Sequence, residues 1–213
     1  MRTAALLFAA VLLVPAAARG GEPWTEATDL VHRPFSADFD AGGRLRLTVR
    51  SGEIHIVGTR EPKVSVELSG RSAHDEKARK VAVKFRRDGR DGEMKISGGP
   101  TNELTITVRV PSETDLHARI PFGDVDIENV RGSHDVELHA GNLRIEVGDP
   151  KDYAHVDASV GAGDLDGGPF AEYKDGLFRS FRIDGGGRLR LHAHVGAGDL
   201  TFEASARADA ALR

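Results

Sequence analysis

Carboxylates beside glycines are the first residues in this chain that could do chemistry. Asp124, Asp164 and Asp199 directly follow Gly123, Gly163 and Gly198, while Glu53 follows Gly52 and Asn142 follows Gly141. Asp126 and Asp166 lie two places further on. Calcium-binding β-rolls also set acids near glycines, but with the acid two places past the last glycine of a tight nonapeptide. Here the acid is adjacent, and the intervals from Gly123 to Gly141 and on to Gly163 are at least twice as long as such a repeat. An ion that takes about six to eight oxygen ligands would need several of these carboxylates to converge. The simpler reading makes Gly52, Gly123, Asp124, Gly141, Asn142, Gly163, Asp164, Gly198 and Asp199 structural turn residues, with no metal and no cofactor. Glycine adopts left-handed backbone at almost no cost, and Asp or Asn beside it bonds local amides.

Histidines come next. His192 and His194 are two apart on an alternating segment and share one face, and His117 holds the same place relative to its glycine as His192. A zinc ion would need a third ligand from a neighbouring strand, such as Asp157, and no H-E-x-x-H spacing supports one. Solvated outer-face histidines are the expectation. Exported β-helices can also degrade polysaccharides with clustered acids, which would put Asp164, Asp199 and Arg119 to work. A carbohydrate-active enzyme is therefore the alternative function. Yet residues that recur at recurring positions are explained by the recurrence, so no catalytic residue is assigned. "GAGDLDGG" fails as a dinucleotide loop, because Asp166 stands where the third glycine belongs and no βαβ unit surrounds it.

The elements that must position these residues follow from alignment on the glycine. "LRLTVRSGEIHI", "LHARIPFGDVDI", "HDVELHAGNLRI", "VDASVGAGDLDG" and "LHAHVGAGDLTF" superpose without gaps. Val49, Ile120, Leu138, Val160 and Val195 stand three before the glycine, and Ile54, Val125, Leu143, Leu165 and Leu200 two after it. That step is odd, so a straight strand would throw the second set onto the opposite face. A tight corner at the glycine returns both sets to one interior. The similarity of successive copies at coil-like spacing predicts an all-β chain, a β-solenoid or β-helix of stacked short strands; an antiparallel β-meander is the alternative. Residues 60–110 alternate without the glycine pattern and read as a meander. One short helix is expected near residues 73–80, where "SAHDEKARKV" has capping-box-like spacing. An insertion at 169–187 holds Phe170, Tyr173, Phe178 and Phe181 and reads as a loop folded over the solenoid edge.

Composition narrows the setting. Residues 1–18 combine Arg2, an apolar run and Ala16-Ala17-Ala18, which is a secretory signal peptide with cleavage at 18–21. Residues 19–34 are a linker or cap, 35–203 a single β domain, and 204–213 a C-terminal tail. No segment of the mature chain is apolar enough to span a membrane, and the absence of cysteine removes any disulfide framework. Without Arg2 the chain has 28 basic and 33 acidic side chains, a net charge of −5 that argues against nucleic-acid binding.

The segments "SGEIHIVG", "LTITVRVP", "FGDVDIENVRG", "AGNLRIEV" and two copies of "GAGDL" resemble the bacterial putative adhesin domain family of unknown function. The likeness covers Phe35 to Glu203 and is most specific over "YKDGLFRSFRIDGGGRLRLHAHVGAGDL". It implies a β-helical fold and brings no catalytic residues; Asn142 departs from the G-D pattern. The expected function is a non-enzymatic exported binding or scaffold protein of the cell envelope, periplasmic, cell-surface or secreted. Its partner would be an unknown envelope protein or polysaccharide, with self-association possible through an exposed end. An accessory or sensor component of an envelope-stress system is a further alternative.

Overall fold

A computed structural model describes residues 22–205, except 75, 77, 100–103, 172, 173 and 175. The expected signal segment, its cleavage span and Tyr173 fall outside the described residues, as does all but the start of the tail. Period-two alternation of apolar residues produces strands nearly throughout. The lead-in supplies β1 (Thr25–Thr28), followed by β2 (Phe35–Asp38), β3 (Arg44–Val49), β4 (Ser51–Thr59) and β5 (Lys63–Ser69). Then come β6 (Ala82–Asp88), β7 (Asp91–Ser97), β8 (Thr105–Pro111) and the 14-residue β9 (Asp115–Glu128). The second half contains β10 (His134–Ala140), β11 (Leu143–Val147), β12 (Tyr153–Ala162) and β13 (Leu165–Asp166), then β14 (Leu177–Asp184), β15 (Leu189–Ala197) and β16 (Leu200–Ala204).

The helix expected near 73–80 is replaced by two 3-10 turns, Arg71–His74 and Ala78–Lys80. Its apolar residues explain the difference. Ala73 and Ala78 are both buried, yet residues five apart on an α-helix point to well-separated faces, so one helix could not bury both against the same sheet.

All strands belong to one open mixed sheet that does not close into a barrel. One ladder runs β1-β6-β7-β3-β9-β10-β15-β12-β14, and a second runs β2-β5-β8-β4-β9-β11-β16-β13. β9 passes through both, and the glycine bend divides them. The middle of each ladder is parallel, from β7 to β12 and from β8 to β13. The flanks are antiparallel: β6 with β7 and β1, β5 with β8 and β2, and β14 with β12. Order along the ladder is not order in sequence. β15 and β16 insert between the β10–β11 and β12–β13 segments, so the final glycine segment stacks inside the preceding one.

The bend places both apolar sets in one core. Val49, Ile120, Leu138, Val160 and Val195 are buried together with Ile54, Val125, Leu143, Leu165 and Leu200. Aromatic rings close the two ends of this core. Phe35 and Phe39 meet Phe85 edge to face at one end, at 5.9 and 6.4 Å between ring centroids. At the other, Phe170 touches Tyr153 and Phe202, and Phe181 touches Phe202. The 169–187 segment thus contributes an edge strand, the core ring of Phe181 and the half-buried ring of Phe170 packed against the core, while Phe178 stays 85% exposed.

Candidate functional site

Two sets of polar residues are brought together by the parallel ladder. The first lies at the bend. Gly52, Gly123, Gly141, Gly163 and Gly198 all have positive φ, well inside the region that favours glycine. The polar residues that follow them link one strand to the next. Asp124 Oδ1 accepts from the backbone N–H of Asn142 at 3.0 Å, Asn142 Oδ1 from Asp199 N–H at 3.2 Å, and Asp199 Oδ1 from Asp164 N–H at 3.0 Å. Each side chain thereby bonds the amide of the next strand over. The carboxylates are spent along the bend rather than gathered around one point. Glu53 accepts from Thr105 Oγ1 at 3.1 Å instead.

The second set crosses the outer face. Ladder register, parallel except at the two end pairs, aligns Arg86, Glu93, Arg46, His117, Asp135, His192, Asp157 and Arg182 on eight successive strands. Side chains two apart on a strand share a face, so this row points outward while its neighbours in sequence point into the core. Basic or imidazole groups alternate with acids along it, except where Arg46 and His117 stand side by side. Arg86 Nε donates to Glu93 at 2.9 Å, His117 Nδ1 lies 2.8 Å from Asp135, and Arg182 donates to Asp157 at 2.7 Å. A parallel row two residues further on brings Arg119, Glu137, His194 and Ser159 side by side. Arg119 ties the rows together, donating to Asp135 Oδ2 at 3.1 Å with its Nε 3.2 Å from Glu137. His194 Nδ1 sits 2.9 Å from the Ser159 hydroxyl.

These pairings shift two carboxyl groups. Hydrogen bonding from Lys95, aided by Arg86 and opposed by partial burial, holds Glu93 below the usual carboxylate range. Arg182 does the same for Asp157 against a smaller desolvation penalty. Asp157, the expected third partner of a histidine metal site, is thus engaged by a guanidinium. Asp135 and Glu137 converge on His192 from the other side, with donor atoms of the three within 4.8 Å of one another. The alignment on glycine contained the signal for them: Arg46, His117, Asp135, Asp157 and His192 all stand six places before their glycines, and Glu137 stands four before, like Arg119 and His194.

One further titratable group lies inside. His134 faces the core between Leu116 and Leu191 and is 2% exposed. Burial pushes its imidazole down to about 4, against a smaller upward pull from Asp115. The Val130 backbone also supports the charged form, yet neither ring nitrogen reaches hydrogen-bonding geometry with it.

Among the described residues no helix is long and apolar enough to cross a membrane. No family model and no curated protein matches the chain. Several solved structures are similar to it, among them these two. One is a putative cell adhesion protein from Clostridium sporogenes ATCC 15579, at 13% identity and a TM-score of 0.44, covering 81% of this chain and 99% of that one. The other is a putative adhesin from Bacteroides fragilis NCTC 9343, at 12% identity and a TM-score of 0.30, covering 81% of this chain and 94% of that one.

Proposed function

We propose that this chain is an exported, non-enzymatic β-solenoid that serves as a binding or scaffold module of the cell envelope. Its ligand is an envelope protein or a polysaccharide, held on the outer sheet face. The observation that supports this reading is the outward row from Arg86 to Arg182, in which charged and imidazole groups repeat at the strand spacing of about 4.8 Å. A periodic array of mixed charge on a rigid sheet suits a long, periodic or extended partner that touches many strands at once. In this reading the glycines and their Asp or Asn neighbours are corner residues, because their side chains bond backbone amides of adjacent strands.

The test is retention of acidic polysaccharides and envelope extracts by the immobilised chain, with product analysis of every polysaccharide retained. Retention without depolymerisation is expected, together with a fall in retention when Arg46 and Arg182 are both changed to Glu. Cleavage of any polysaccharide would defeat the non-enzymatic reading. Retention unaffected by the double charge reversal would remove the outer row as the binding surface.

A further inference from the structure

Three neighbouring strands present donor groups in register on the outer face. Asp135 of β10 and Asp157 of β12 both stand opposite His192 of β15, and Glu137 and Ser159 both stand opposite His194. A carboxylate oxygen of Asp135, one of Glu137 and a ring nitrogen of His192 all lie within 4.8 Å of one another. We propose that these three side chains bind one divalent transition-metal ion, leaving a coordination position open to solvent or to a donor group of a binding partner.

The donor set decides the class of ion. One imidazole with two carboxylates suits zinc and its neighbours, whereas calcium takes oxygen ligands alone and more of them. Zinc bonds to nitrogen and oxygen of about 2.0–2.2 Å require donors roughly 3.4 Å apart in a tetrahedral site. Closing from 4.8 Å asks only for side-chain rotation, and the Asp135 and Glu137 side chains are 40% and 39% exposed. The surroundings already orient the ligands. His117 Nδ1 lies 2.8 Å from Asp135 Oδ2, and Arg119 approaches Glu137 through Oε2, which leaves Oε1 for the ion. Such outer partners normally fix metal-ligating groups.

Asp135 Oδ1 supplies a second observation. It is withdrawn from solvent and receives no hydrogen bond, although its carboxyl group as a whole is partly exposed. Arg119 Nη2 stands 3.0 Å from it, near enough for charge attraction, but directs its hydrogen to Oδ2. Oδ1 is thus paired by charge but holds no hydrogen bond, so its lone pair is open to an ion once the side chain turns.

The chain, stripped with chelator, would be titrated with zinc by calorimetry, and with cobalt(II) by visible absorption. Saturable binding of about one equivalent is expected, with cobalt bands typical of low coordination number. His192→Ala and Glu137→Gln should each weaken zinc affinity by roughly tenfold or more, with the metal-free chain still unfolding cooperatively near the native midpoint. His55→Ala should leave affinity as it was, since His55 lies past the bend, 3.4 Å from Glu53 and 3.5 Å from Asp126. If His192→Ala disturbs folding, Glu137→Gln alone decides. Absence of saturable zinc binding, equal affinity in Glu137→Gln, an equal loss in His55→Ala, or calcium bound as tightly as zinc would each overturn the proposal.

Discussion

The bend and the outer row cross the same parallel strands, yet they obey different rules. At the bend, backbones approach so closely that side chains have no room. A Cβ at Gly123, Gly141, Gly163 or Gly198 would fall 1.9–2.1 Å from the carbonyl oxygen of the neighbouring glycine. On the outer row, side chains face solvent, and Arg, His, Asp and Ser exchange places from strand to strand at equivalent positions. Backbone contact imposes identity, whereas side-chain contact imposes only complementarity. The bend itself holds a contrast. Gly52 shares the left-handed φ, but a Cβ there would meet nothing closer than Ile106 Cδ1 at 3.6 Å.

The largest expected effect breaks the bend. Gly198→Val sets a branched side chain at φ +127°, with Cβ 2.0 Å from the Gly141 oxygen. A loss of about 3 kcal/mol or more is expected in chemical denaturation. Gly52→Ala should cost about 1–2 kcal/mol, the backbone strain without the collision. Equal losses in the two variants would refute the close-approach argument.

The next effect concerns the core. His134 is neutral in the fold because burial holds its imidazole down at about 4. Between pH 6.5 and about 4 the unfolded chain therefore binds the extra proton, and stability should fall as pH drops through that window. The full span amounts to about 3 kcal/mol. His134→Leu matches Leu116 and Leu191 on either side and removes two unbonded nitrogens, so it should flatten the acid limb and raise stability. Urea midpoints compared at pH 7 and pH 4.5 report both changes. An unaltered acid limb in the variant would mean that other groups, such as the Glu93 and Asp157 carboxyls held low by their cations, govern it.

Smaller effects belong to the exposed partners. Arg119→Ala removes a cation shared by Asp135 and Glu137 at the surface, and about 0.5–1 kcal/mol should go, less in high salt. Asp199→Asn should fall within about 0.5 kcal/mol, because an amide oxygen accepts from Asp164 N–H as a carboxylate does, and Asn142 already plays that part toward Asp199. Asp199→Ala should cost about 1 kcal/mol. If Asp199→Ala matched the native chain in urea denaturation, the bonds along the bend would contribute nothing measurable.

Much of this was legible in the sequence. Alternation marked most of the strands, and the odd step across each glycine required a bend that returns Val160 and Leu165, for instance, to one interior. The six-before position collected His117, Asp135, Asp157 and His192 into one outward row. The sequence could not say which of them would touch, because that depends on which strands are neighbours. Successive spacing suggested that the segment at Gly141 would stack next to that at Gly163; the fold puts Gly198 between them. The physical reason is that Leu138, Val160 and Val195 are interchangeable inside the core, so the inward pattern is satisfied by either order.

Chain connectivity settled the matter instead. β14 pairs antiparallel with β12 and takes up its open edge, while β15 occupies the other side. That choice set His192 between Asp135 and Asp157 and gave Asp157 to Arg182. The glycine bend and the alternation of inward and outward residues were properties of the sequence by itself, since they follow from backbone sterics and period-two geometry. The order of the strands, and with it every contact between outward side chains, was decided only by the tertiary structure, because equivalent apolar faces carry no label that distinguishes one neighbour from another.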